Sequence, residues 1–495
     1  MSASREKKKR LNQEQKPAPE QKKAKKLGDG LILAISMILI LAIVFGSVLI
    51  YKSYWRNATV LTVGDHEISV KEFNYFYRGA INEVVNTYGS YISLFGLDAS
   101  IPLDEQETTD EEGNKITWAA SFADSAKTAA ISYYAVYDKA QAAGFTLPEE
   151  ATSSIDQEIA MVESYASMYN MDADDYVEGH FGKGCTLEGY RAYLELANTY
   201  GYYAESLSYT EEELTARYNE NAKEFGAASY LLYQISAADF AKKLADGTTE
   251  EITDEHRAKA KAAADLMTDH FHDVHEKVSE YTEYTYEEVV STIGKTAADW
   301  LFERAQAGEI NQFNEEDYYF VVKVISKTEN DYDTVNALQL FIPKDEEGAE
   351  LEEGESSAEN ILAEVRSKLT ADPTPETLDT LLAAYGGDES ANIENGYHRT
   401  FTNEEAYEWL FNGKPTVNEY REFATEDGTY IIMFTGYGKN YQDLLVTTAL
   451  TEEWLTATVD AQTYEYDQDA ALHADMVDLV VGEAYNLSGT NSILG

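Results

Sequence analysis

Residues 299–325 read DWLFERAQAGEINQFNEEDYYFVVKVI, and residues 408–434 read EWLFNGKPTVNEYREFATEDGTYIIMF. Each has a Trp-Leu-Phe helix end, then a polar stretch, then a closing run of β-branched and aromatic residues that reads as a strand. Working outward, the apolar strand AASYLLYQIS precedes the first phrase and NALQLFIP precedes the second. A polar helical stretch to about residue 275 follows the first of these strands, and the helical segments AENILAEVRSKL and PETLDTLLAAYG follow the second. Ala228 and Ala337 are 109 residues apart, as are Trp300 and Trp409, and Tyr319 and Tyr430 are 111 apart. Three matched offsets in the same order predict a duplicated α+β module of about 105 residues, placed at 226–330 and 333–440.

Upstream, the alternation in VLTVGDHEISVKEFNYFY predicts a short strand and a turn at Gly64-Asp65. Ser69 and Glu72 then supply a capping box for the helix that follows. Thr210 and Glu213 form a second box. Helical spacing recurs through residues 57–225, so that region is expected to be a mostly helical domain. Residues 441–467, YQDLLVTTALTEEWLTATVDAQTYEYD, read as a long amphipathic helix. With the acidic tail they make a last segment, 441–495, suited to packing back on the helical domain. Residues 345–357 carry seven acidic residues and no basic one, the mark of a solvated loop.

Charge divides the chain sharply. Residues 1–56 hold 12 Lys+Arg against 4 Asp+Glu, a net +8, while the remainder is −59 within a total of −51. Such a surface repels phosphate backbones, which excludes nucleic acid as a partner. Residues 31–51, LILAISMILILAIVFGSVLIY, carry no charge and are long enough for a transmembrane helix. The ten basic residues of the tail at 1–30 predict a cytoplasmic N-terminus and an extracytoplasmic bulk. The single cysteine, Cys185, is far from that segment and has no partner for an intrachain disulfide.

VLTVGDHEISVKEFNYFY resembles the opening of the SurA and PrsA type extracytoplasmic foldases. YTEEELTARYNENAKEF before a strand resembles the helix that leads those proteins into a parvulin-type prolyl isomerase module. The order of AENILAEVRSKL, LLAAYGGDES, NGYHRTF, EEAYEWLF and GTYIIMF is similar to the parvulin succession of helices, Gly-rich turn, helix and closing strand. The resemblance implies a chaperone domain and two parvulin-like modules. It also implies a histidine in the first strand and another in the last, but the matching positions hold Gln339 and Tyr430 in the second module and Tyr230 and Tyr319 in the first. Tyrosine and glutamine donate hydrogen bonds without reproducing an imidazole pair. Asn403, Glu404 and Glu405 match the family's apolar proline pocket, where charge would bind proline poorly.

Elsewhere, DHFHDVH gathers Asp269, His270, His272, Asp273 and His275. His272 and His275 share a helix face and are candidate zinc ligands if a carboxylate completes the set, but an exposed polar helix is the plainer reading. His66, His180, His256, His398 and His473 are scattered, and neither a nucleophile motif nor a phosphate loop is present. Tyrosine is frequent, at 37 of 495 residues, and suits both helix cores and loose contact with unfolded chains.

The expected fold class is α+β: an N-terminal transmembrane helix, a mostly helical chaperone domain, two degenerate parvulin-like modules and a C-terminal helix. The expected function is a membrane-anchored foldase that binds unfolded or exported polypeptides with weak or no isomerase activity and no cofactor. An active prolyl isomerase and a structural scaffold of a membrane or cell-wall assembly are the alternatives.

Overall fold

At Gly64 the chain takes φ +55°, a left-handed angle that costs glycine nothing because it has no Cβ. The turn joins strand β1 (Thr59–Val63) to β2 (His66–Ser69) as an antiparallel hairpin. Helix α1 (Val70–Tyr88) begins at once, and the Ser69 N–H donates to the Glu72 carboxylate at 2.9 Å. These elements open the first of two units in the computed structural model, which describes residues 54–110, 112–244, 248–271, 278–345, 357–387, 390–401 and 403–484. The first unit runs to Ala204 and resumes at Ala457, and the second is Glu205–Thr456.

In the first unit a hairpin of β3 (Glu107–Thr109) and β4 (Lys115–Thr117) leads into α2 (Trp118–Ala143). Helices α3 (Glu149–Met168), α4 (Ala173–Phe181) and α5 (Leu187–Ser206) follow. Helix α1 is gripped from two sides. Phe73, Phe76, Tyr77 and Ile81 share a core with Ala119, Ala123, Ala126 and Ala130 of α2, whose small side chains allow a close helix approach. Tyr75 belongs to a second core with Ile159, Val162, Val177, Phe181 and Tyr190 from α3, α4 and α5. A third strand, Tyr464–Tyr466, pairs with β1 and places Tyr466 opposite Leu61. The reading of 441–495 as helix and acidic tail omits this strand, because three residues are too few to show an alternating pattern.

The expected fold class needs one correction. No helix among the described residues is long and apolar enough to cross a membrane. The longest, α2 with 26 residues, has the length but carries Asp124, Lys127, Asp138 and Lys139 among many small and polar residues. Residues 31–51, where the transmembrane helix was expected, lie outside the described residues. The architecture is therefore α+β, helices with four small sheets, and has no membrane-spanning helix among its described elements.

In the second unit, α6 (Glu211–Glu220) is capped by Thr210, whose N–H meets the Glu213 carboxylate at 2.7 Å. The chain continues through β5 (Ala227–Ser236), α7 (Asp254–Asp269), β6 (Ser279–Thr285), α8 (Tyr286–Ile293), α9 (Lys295–Glu303), β7 (Ile310–Glu315) and β8 (Tyr318–Thr328). It then passes through β9 (Asp333–Pro343), α10 (Ala358–Ala371), α11 (Pro375–Tyr385), β10 (Ala391–Gly396), α12 (Glu404–Tyr407), β11 (Tyr420–Ala424), β12 (Gly428–Asn440) and α13 (Tyr441–Asp460). Both four-stranded sheets have the same order, β6-β5-β8-β7 and β10-β9-β12-β11, with every pairing antiparallel. Each has a core on both faces. Side chains also tie one sheet's module to the other: His398 Nδ1 lies 2.9 Å from the Glu283 carboxylate, and Arg399 donates to both oxygens of Glu288 at 2.8 and 3.0 Å.

Asp299 on α9 is a hub. Its carboxylate accepts from Lys223 and Lys295, both at 2.8 Å, and from the Tyr286 hydroxyl at 2.7 Å. The Lys223 hydrogen bond, followed by those of Lys295 and Tyr286, holds its pKa well below the usual carboxylate range. A depressed pKa contributes stability that is present above the unfolded aspartate value, near 3.9, and is lost as pH falls through the folded value. Asp299→Asn is therefore expected to be less stable than the parent at neutral pH, with the gap closing below about pH 4. Urea unfolding at neutral and acid pH checks this, and a gap that widens in acid contradicts it.

Candidate functional site

The strand pairings measure the register of the duplicated phrase directly. Opposite β8, strand β5 shifts by one residue between Ser229 and Tyr230, and the β9–β12 pairing shifts between Asn336 and Ala337. Aligning the shifts matches Tyr230 with Ala337, Val324 with Phe434 and Phe320 with Tyr430. The expected match of Ala228 with Ala337 is thus displaced by two residues, and that of Tyr319 with Tyr430 by one. A displacement of one turns a strand residue to the opposite face. Tyr230 is fully buried in the core beneath α8 and α9, stacked on Tyr281 at 5.0 Å, whereas Tyr319 packs against the core on the α7 side. The first module therefore separates its two candidate positions. In the second module Gln339 pairs with Ile432, and Tyr430 pairs with Phe341 at a ring distance of 4.5 Å, so Gln339 and Tyr430 share one face. Burial pushes the Tyr230 hydroxyl well above its ordinary pKa and keeps it a neutral phenol.

Asn403 is a helix cap, its Oδ1 accepting from the Ala406 N–H at 2.9 Å. Glu404 and Glu405 are exposed, and Ala406, Trp409 and Leu410 turn inward instead. No charged pocket floor forms from the two glutamates, because a helix's first turn offers its acidic side chains to solvent and to the dipole. Asp269 ends α7 and His270 follows it, but His272, Asp273 and His275 lie outside the described residues. No group of three or more metal-capable side chains occurs among the described residues. Cys185 is buried, and burial pushes its thiol up to about 12, so it supplies no thiolate near neutral pH. His66 pairs with Asp138 at 2.8 Å, His473 stacks on Trp55 at 3.9 Å and His398 stacks on Tyr332 at 3.7 Å.

The site that the structure does assemble lies in the first unit. Helices α1, α2, α3 and α5 enclose a cleft of about 490 Å³, within the usual range of about 300–1,000 Å³ for ligand sites. Its walls carry Tyr75, Phe76, Tyr133, Tyr190 and Tyr193, with Asn82, Asn86, Asn198, Glu83 and Glu158 between the rings. A reciprocal contact sets its shape. An added Cβ on Gly79 of α1 would lie 2.6 Å from the Tyr193 hydroxyl, and one on Gly189 of α5 would lie 2.6 Å from the Tyr75 hydroxyl. Each helix thus lays a tyrosine over a glycine of the other, and Tyr75, Phe76 and Tyr193 form a wall shared with an adjoining cavity of about 330 Å³. Burial, and then the Tyr133 and Glu83 charges, push the Tyr193 hydroxyl above its ordinary pKa, so the ring presents a neutral donor.

Nucleophilic chemistry has no support in this cleft. Among the described residues lining it there is no His, Cys, Lys or Arg to activate Ser125 or Ser154. Its lining includes rings with polar tips, amides and carboxylates. Beyond it, Tyr91, Leu94 and Phe95 follow α1 with 53–78% of their surface exposed, and Met168, Tyr169 and Met171 stand exposed at the end of α3. Sequence reasoning noted the tyrosine clusters but missed this site. The signal was the Tyr-x-x-x-Gly spacing of YFYRG at 75–79 and its reverse, GYRAY at 189–193. Comparison with protein-family models finds no match for this chain, and comparison with curated proteins finds none either.

Proposed function

We propose that the protein binds unfolded polypeptide chains in the manner of a chaperone, with weak or no prolyl isomerase turnover. The observation that carries this reading is the tyrosine-walled cleft, whose rings offer apolar faces and whose phenols and amides offer adaptable hydrogen bonds to an extended backbone. Exposed methionine and aromatic side chains on α3 and after α1 support it, since flexible apolar surface accepts many sequences. The likeness to the SurA and PrsA type foldases belongs to the same proposal. So does a place of action outside the cytoplasm, which is supported by the charge contrast between residues 1–56 and the rest.

Uncatalysed X-Pro isomerisation takes tens to hundreds of seconds. The chain is expected to slow aggregation of an unfolded client while leaving that rate nearly unchanged, because imidazole is missing at positions 230, 319, 339 and 430. Light scattering of the client and a proline-isomerisation assay check the two halves separately. The second reading, an active isomerase, finds its one support in Gln339 and Tyr430, which share a face of the second sheet. Fast turnover abolished by Tyr430→Phe would establish that reading in place of the first.

A further inference from the structure

The cleft carries charge of one sign only. Glu83 and Glu158 are its charged residues among those described, and neither forms an ion pair with a described basic group. The contrast with nearby carboxylates is direct: Asp156, two residues before Glu158, meets Arg191 at 2.7 Å, and Glu178 is bound by Lys183. Glu83 lies close enough to Tyr133 and Tyr193 to raise both hydroxyl pKa values, and Glu158 accepts from the Tyr190 hydroxyl at 3.2 Å. Burial raises the pKa of Glu158, and the Tyr190 hydrogen bond offsets only part of that rise. The adjoining cavity across the shared wall differs: its Glu72 caps α1 by accepting from Ser69, and its Glu195 lies 3.9 Å from Arg191.

A carboxylate beside a tyrosine face is the arrangement that holds an ammonium or guanidinium group. The carboxylate supplies the charge-assisted hydrogen bond, and the ring supplies both the cation–π attraction and an apolar bed for the aliphatic stem. Resting on the client-binding reading above, we propose that the cleft selects extended polypeptide segments in which a Lys or Arg side chain adjoins apolar residues. The cation sits between Glu83 and Glu158, and its apolar neighbours lie on Tyr133 and Tyr193. Segments rich in Asp or Glu are excluded by the same two carboxylates.

The test uses the full chain and three short fluorescent peptides of equal apolar content that carry Lys, Gln or Glu at one position, read by anisotropy. The Lys peptide is expected to bind about tenfold tighter than the Gln peptide, and the Glu peptide weaker still. In the Glu83→Gln/Glu158→Gln double variant, binding of the Gln peptide should persist while the preference for Lys falls to about twofold or less. The chain as a whole is strongly acidic, so Glu211→Gln/Glu212→Gln, two exposed positions on α6, serves as the control and should keep the full preference. Equal loss in both double variants would assign the preference to the overall field and overturn the site. Equal binding of all three peptides by the parent overturns charge selection and leaves client binding standing, whereas no binding of any peptide removes both.

Discussion

Replacing Trp409 by alanine is expected to destabilise the second unit by about 3–5 kcal/mol, the range for deleting a large buried aromatic ring. Trp409 is 3% exposed. It lies in a π-helical turn, Glu408–Asn412, whose wider winding is closed by the Gly413 N–H on the Glu408 carbonyl at 2.9 Å. Its ring packs on Phe423 at 5.8 Å, its Nε1–H donates to Glu419 at 3.2 Å, and Arg421 lies over its face. Trp300 holds the matching place on α9 and packs on Phe313 at 5.3 Å, but it is only half-buried. Its truncation should cost less, because less apolar area is withdrawn from water. Urea unfolding followed by circular dichroism measures both. Equal costs would mean that the wider turn does not deepen the burial of Trp409.

The second expected result is a change of sign. Gly79→Ala places a methyl 2.6 Å from the Tyr193 hydroxyl, but the next ring atom is 3.7 Å away, so the conflict is with the oxygen alone. In the parent background the substitution should cost about 1–3 kcal/mol through overpacking. With Tyr193→Phe already present, the conflict is gone and alanine's better helix propensity in α1 should stabilise by up to about 1 kcal/mol. The four proteins form a double-mutant cycle whose coupling reports the contact between α1 and α5. A Gly79→Ala change that is neutral in both backgrounds would show that Tyr193 does not lie over α1. Peptide binding should fall in the Gly79→Ala variant alone, because the displaced ring is a wall of the cleft.

Local signals were legible wherever the physics is local. The boxes at Ser69–Glu72 and Thr210–Glu213 start the helices they were expected to start, because a cap depends on residues three apart. The turn at Gly64 and the strands AASYLLYQIS and NALQLFIP stand where alternation and glycine placed them. The register between the duplicated phrases did not follow from spacing. Offsets along the chain count loop residues and strand residues alike, whereas a one-residue step in strand pairing moves every later match. Tyr319 was for that reason matched with Tyr430 although it faces the other side of its sheet.

By itself the sequence determined the acidic composition, the absence of imidazole at four positions, the capped helix starts and strands such as AASYLLYQIS. These are properties of composition and of short-range pattern. Only the tertiary structure decided that Tyr464–Tyr466 would pair with a strand about 400 residues earlier, since a three-residue strand gains its hydrogen bonds solely from that partner. It also decided that Tyr75 and Tyr193 would each cover the other's neighbouring glycine, and that Glu83 and Glu158 would line one cleft. Side-chain packing between distant helices sets which residues share a cavity, and no spacing within a single helix contains that information.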